Sequence, residues 1–172
     1  METLFIIASA VAVLSTAMVI TRAEAVHALL YLIVSLLSVA LVFFLLGAPF
    51  AAALEVIIYA GAIMVFFVFV IMMLNLGPRQ AEEERKLLEP GLWVGPAALA
   101  LVLAGELLFI VLGGASPGRG AREVAPREVG AALFGPYAIA VELASMLLLA
   151  GLVGAFHLGR KEGTPEEKEE RG

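Results

Sequence analysis

The sequence predicts an all-α, polytopic membrane protein with five transmembrane helices, its N-terminus outside and its C-terminus inside. Three observations carry that reading. The 172 residues are 62% hydrophobic and only 16% charged, whereas a soluble domain is about 45–50% apolar and about 25% charged. The apolar residues fall into five runs, each long enough to span a bilayer core, for which about 20 residues suffice. Lys and Arg are shared unequally between the connections on the two sides.

The first run extends from about Leu4 to Ile20. No positive segment or cleavage site accompanies it, so it reads as a retained helix and not a signal peptide. The second runs from Val26 to Leu46 and the third from Phe50 to Leu76. Between them, Gly47, Ala48 and Pro49 leave room only for a tight turn, which makes these helices antiparallel neighbours. Pro49 suits the first helical position, where a missing N–H costs nothing. Gly77 and Pro78 end the third run, and a charged loop follows from Arg79 to Gly91. The fourth run is Leu92 to Leu112 and the fifth Phe134 to Leu158. The Gly- and Pro-rich connection from Ala115 to Gly130 is expected to be irregular and to lie on neighbouring chains. Residues 1–158 form one transmembrane domain, and the polar tail, 159–172, is expected to be a disordered cytoplasmic extension. Continuous runs of this length satisfy their backbones in lipid as helices, not as barrel strands.

Orientation follows from the cations. With the N-terminus outside, the inner segments hold Arg22, Arg79, Arg85, Lys86, Arg160, Lys161, Lys168 and Arg171, and the outer segments hold Arg119, Arg122 and Arg127. That excess inside favours N-out and C-in. The net charge of −5 argues against a basic nucleic-acid-binding surface. The absence of cysteine excludes disulfides and thiolate-bound metal from this chain. No phosphate-binding glycine loop, nucleophile elbow or metal-ligand spacing appears. His27 and His157 fall at helix ends, and the simplest role for His27 is to cap or hydrogen-bond there. Tyr31, Trp93 and Tyr137 read as interface anchors. Ala8 with Ala12, and Ala150 with Gly154, are small-residue pairs four apart that permit close helix contact.

The candidate site is in the third run. Glu55 and Tyr59 are four apart and share a helix face. Gly61 lies about 200° from Tyr59, where it lets another backbone approach. Met64, Val65, Phe66 and Phe67 follow as a bulky wall. Gly61 weakens an α-helix by roughly 1 kcal/mol relative to Ala, so a departure from α geometry is expected within a turn of it. Glu106 and Glu142 are the other acids inside predicted spans. In the N-out arrangement all three glutamates fall in one outer layer, roughly 7–12 Å deep. An acid at a helix centre costs about 2.5–3.5 kcal/mol on insertion scales. The three should therefore face protein or water or stay protonated; the competing reading is that they lie near enough to headgroups to be hydrated.

From Ala28 to Leu76 the sequence, ALLYLIVSLLSVALVFFLLGAPFAAALEVIIYAGAIMVFFVFVIMMLNL, resembles the subunit J family of bacterial proton-pumping NADH-quinone oxidoreductases, with YAGAIMV at Tyr59–Val65 as its most specific part. The resemblance implies a chain without its own redox centre in the membrane arm of respiratory complex I. NADH, FMN, iron–sulfur clusters and quinone would be bound by partner subunits. The implied partners are the quinone-site subunit, the small K-type and A-type subunits and an antiporter-like subunit, in a bacterial plasma membrane. It also implies that the third helix can carry a π-bulge near Tyr59 and Gly61, whose interconversion with regular helix gates a water path. On that reading Glu55, Tyr59, Gly61, Met64, Val65, Glu106 and Glu142 line the proton path or its gate. Alternatives are a related subunit of a cation/proton antiporter or membrane-bound hydrogenase, or a purely structural spacer.

Overall fold

The computed structural model describes residues 2–22, 24–74, 90–113 and 123–159. The regular elements among these residues are all helices, and none is a strand. Five of the helices are long and apolar enough to cross a membrane: Glu2–Thr21, Ala25–Leu45, Pro49–Met73, Trp93–Gly113 and Ala138–Gly159. The last two residues of the expected third run, the loop after it, positions 115–122 of the next connection and the tail beyond Gly159 lie outside the described residues.

The chain divides into two compact units, Met1–Ala125 and Pro126–Gly172. In the first, α1 (Glu2–Thr21) packs along α2 (Ala25–Leu45). Their seam is joined by hydroxyls bonded to opposing carbonyls. Ser38 Oγ donates to the Ala8 carbonyl at 2.9 Å and Ser35 Oγ to the Ala12 carbonyl at 3.3 Å. The small pair Ala8 and Ala12 thus brings the two backbones close, as its spacing suggests. Arg22 stacks over the Tyr31 ring, 5.5 Å from its centroid. The fourth span lies in α5 (Pro90–Gly113), which packs on both helices. Its Leu103 and Ile110 join Ala8, Val11, Val34, Leu41 and Leu45 in the core of this unit. Tyr31 is buried, with its hydroxyl seated on Gly95 of α5. It is therefore not the interface anchor that its position suggests, because Gly95 offers a side-chain-free seat on the facing helix. Trp93 and Tyr137 remain exposed.

The link between α2 and the third span is tightly specified. Gly47 has φ of 84°, a left-handed conformation that an L side chain rarely adopts. Gly47 N–H donates to the Phe44 carbonyl and Ala48 N–H to the Phe43 carbonyl. This pair of bonds is a Schellman cap, which satisfies the last carbonyls of α2. Pro49 then opens the next helix. The Gly47 carbonyl accepts from Val124 N–H at 2.9 Å, which ties the segment before the second unit to this turn.

The second unit holds α6 (Pro126–Leu133) and α7 (Ala138–Gly159). The helix α6 occupies part of the connection expected to be irregular. Pro126 supplies a pre-set first residue, and Glu128 complements the dipole of the first turn. The fifth span starts at Ala138 and not at Phe134. Pro136 cannot donate a backbone bond, and the chain turns through 134–137 with Tyr137 N–H reaching the Ala132 carbonyl.

Candidate functional site

The third span is three segments in one rod: α3 (Pro49–Leu54), a nine-residue π-helix (Glu55–Ile63) and α4 (Met64–Leu74). The π-helix contains Glu55, Tyr59 and Gly61, so the departure from α geometry falls where the glycine weakens the helix. A Cβ at Gly61 would sit 3.1 Å from the Val56 carbonyl oxygen, five residues earlier. That is the spacing of a π-helical bond. In this geometry the hydrogen atom of Gly61 leaves space that any other residue would crowd.

The span is anchored on one side only. Met64, immediately after the π-segment, is 1% exposed and packs into the first unit. Around it Val65, Phe66 and Phe67 are exposed, and the two phenyl rings meet edge to face at 6.4 Å. The expected bulky wall is thus split into one buried methionine and a free apolar face. Tyr59 is 49% exposed and Glu55 is half-buried. Between α2, α3, the π-segment and α5 lies an apolar groove of about 570 Å³, lined by Leu37, Phe44, Val56, Leu103 and Leu107 among others.

Of the three membrane acids, Glu55 and Glu106 belong to the first unit. Glu106 is 6% exposed, between Leu103 and Ile110 on the core side of α5. Glu142 belongs to the second unit and is exposed there. His27 plays the expected local role. Its Nδ1 lies 2.8 Å from Glu24 Oε2, at the start of α2. The seam hydroxyls of Ser15, Thr16, Ser35 and Ser38 are polar features that sequence reading passed over. The signal was the pair Ser35 and Ser38, three apart on α2, opposite Ser15 and Thr16 on α1. No group of three or more metal-ligating side chains occurs among the described residues.

This arrangement is a polytopic helical membrane protein with an irregular span carrying an acid and a phenol. A family model for NADH-ubiquinone/plastoquinone oxidoreductase chain 6 matches residues 15–158. The chain is 61% identical to NADH-quinone oxidoreductase subunit J of Pseudomonas aeruginosa over 163 residues, covering 94% of this chain and 98% of that one. It is 55% identical to the Escherichia coli protein of the same name over 166 residues, 96% of this chain and 90% of that one. A more distant subunit J, from Buchnera aphidicola of Schizaphis graminum, is 49% identical over 162 residues, 94% and 99% of the two chains. The chain belongs to the NADH-ubiquinone/plastoquinone oxidoreductase chain 6 family.

Proposed function

We propose that the chain is a membrane-arm subunit of a proton-translocating NADH-quinone oxidoreductase, and that its third span couples quinone reduction to proton movement. The observation that carries the coupling role is the π-helix at Glu55–Ile63. A π-segment holds one more residue per turn than it needs. Losing that residue from the turn rotates one flank against the other by about 100°. The apolar face of Val65, Phe66 and Phe67 would then exchange with a face bearing Tyr59. Tyrosine can both donate and accept, so it can join a chain of waters that reaches Glu55. Glu106 and Glu142 are further stations for protons in the same arm.

The chain performs no redox chemistry alone. NADH, FMN, iron–sulfur clusters and quinone are held by partner subunits. Its neighbours are the quinone-site subunit, the small K-type and A-type subunits and an antiporter-like subunit. It lies in the bacterial plasma membrane with the N-terminus outside. The exposure of the third and fifth spans supports extensive cover by partners and lipid.

The test uses the assembled complex in proteoliposomes. Gly61→Val crowds the Val56 carbonyl, and Tyr59→Phe removes only a hydroxyl. Both should assemble and keep NADH oxidation by artificial acceptors. Gly61→Val should lose most proton pumping and coupled quinone reduction, and Tyr59→Phe a smaller part. Full pumping by an assembled Gly61→Val complex would leave the span a structural spacer.

A further inference from the structure

Among the described residues, four buried side-chain atoms have no hydrogen-bond partner: Ser15 Oγ, His27 Nε2 and both carboxylate oxygens of Glu106. Each of these residues is more than nine-tenths buried. Orphaned polar atoms are uncommon in native interiors, because each leaves the desolvation of its group uncompensated. Here all four belong to α1, α2 and α5, which share one packed interior.

Their order along that interior can be read from the contacts. Tyr31, near the start of α2, meets Gly95, near the start of α5. Further along, Leu103 and Ile110 pack with Val34, Leu41 and Leu45. The two helices therefore run side by side in the same direction. Counting at about 1.5 Å per residue, Glu106 is about level with Val42, one turn beyond Ser38. The helix α1 runs the opposite way, since Ser38 bonds the Ala8 carbonyl and Ser35 the Ala12 carbonyl. Passing from the Tyr31 end, the polar groups come in the order His27, Ser15, the Thr16–Ser35 pair, Ser38 and Glu106. Thr16 Oγ1 and Ser35 Oγ are 2.8 Å apart. The whole series covers about 22 Å of rise, with steps of about 4–8 Å.

Such steps are the length of one or two hydrogen-bonded waters. Ser35 and Ser38 direct their protons to carbonyls and keep lone pairs free to accept from a neighbour. In the tautomer whose Nδ1–H donates to the Glu24 carboxylate, the His27 Nε2 is an acceptor. Glu24 is half exposed while His27 is buried, so this pair joins the seam to the surface. A water with two to four polar partners is the ordinary occupant of such a place.

We propose that the α1–α2 seam, closed by α5, is a water-binding site. It holds a file of ordered waters from His27 to Glu106, through which Glu106 exchanges its proton. This route is separate from the π-segment and does not depend on any rotation of the third span.

The test is infrared difference spectroscopy on the complete complex, compared in H₂O and D₂O. The C=O stretch of protonated Glu106, identified by its loss in Glu106→Gln, should shift in D₂O. His27→Phe should slow that shift severalfold, whereas Gly61→Val should leave it unchanged while impairing pumping. A Glu106 carboxyl C=O band insensitive to D₂O, or exchange unaltered by His27→Phe, would overturn the proposal. If Glu106→Gln or His27→Phe fails to assemble, a map of the wild-type complex that resolves waters decides. Ordered waters beside Ser15 and Glu106 support the file, and a dry seam there overturns it.

Discussion

The α1–α2 seam and the third span are both apolar helical segments, yet they handle polar groups in opposite ways. In the seam, the hydroxyls of Ser35 and Ser38 are buried and bonded to carbonyls of the facing helix, so each of these two bonds also fixes a helix contact. In the third span, Glu55 and Tyr59 stand on a π-helical segment with exposed apolar neighbours, and Met64 alone is fully buried. One region uses polarity to hold two helices in register. The other combines polarity with an irregular backbone and a single fully buried methionine. Interfaces within a packed core are bistable and not continuously deformable, so the anchor matters as much as the defect.

Substitutions can break this contrast in order of expected size. Met64→Ala should have the largest effect, about 2–5 kcal/mol for truncating a buried large side chain. The thermal stability of the detergent-solubilised complex should fall, and pumping should fall further than assembly. An effect as small as that of Leu148→Ala, on an exposed face of α7, would show that Met64 is no anchor. Gly95→Ala comes next, because its Cβ would collide with the Tyr31 hydroxyl. Overpacking of this kind costs about 1–3 kcal/mol. Adding Tyr31→Phe, which removes the clashing oxygen, should restore part of the assembled complex on native gels. No rescue would mean that the clash is not what limits assembly. Ser38→Ala should have the smallest effect, about 0.6 kcal/mol and at most about 1.7, the range measured for interhelical hydrogen bonds in membranes. Double-mutant cycles between Ser35→Ala and Ser38→Ala would then sharpen the comparison by separating the seam bond by bond.

The sequence exposed the features that depend on local chemistry. Runs of apolar residues gave the spans to within a few positions, except at the fifth. The Gly47–Pro49 turn was legible because only glycine fits the conformation with φ of 84°. The irregularity around Gly61 was legible because glycine weakens an α-helix by roughly 1 kcal/mol relative to Ala. What stayed hidden depends on partners in space. Tyr31 looked like an anchor because nothing in its own helix announces Gly95, 64 positions later. The break at 134–137 was masked by apolar Phe134, although Gly135 and Pro136 were there to be weighed. The burial of Glu106 follows from how α5 packs, which no spacing in the sequence encodes.

The central claim is that the π-helical segment is one of two states and not a fixed distortion. Maps of the assembled complex with oxidised and with reduced quinone, resolved well enough to trace backbone hydrogen bonds through Tyr59–Val65, test it directly. The account predicts π-helical bonding across Gly61 in one state and regular i→i+4 bonding in the other, with Val65 turned by about 100°. The same bonding and the same Val65 orientation in both states would contradict it.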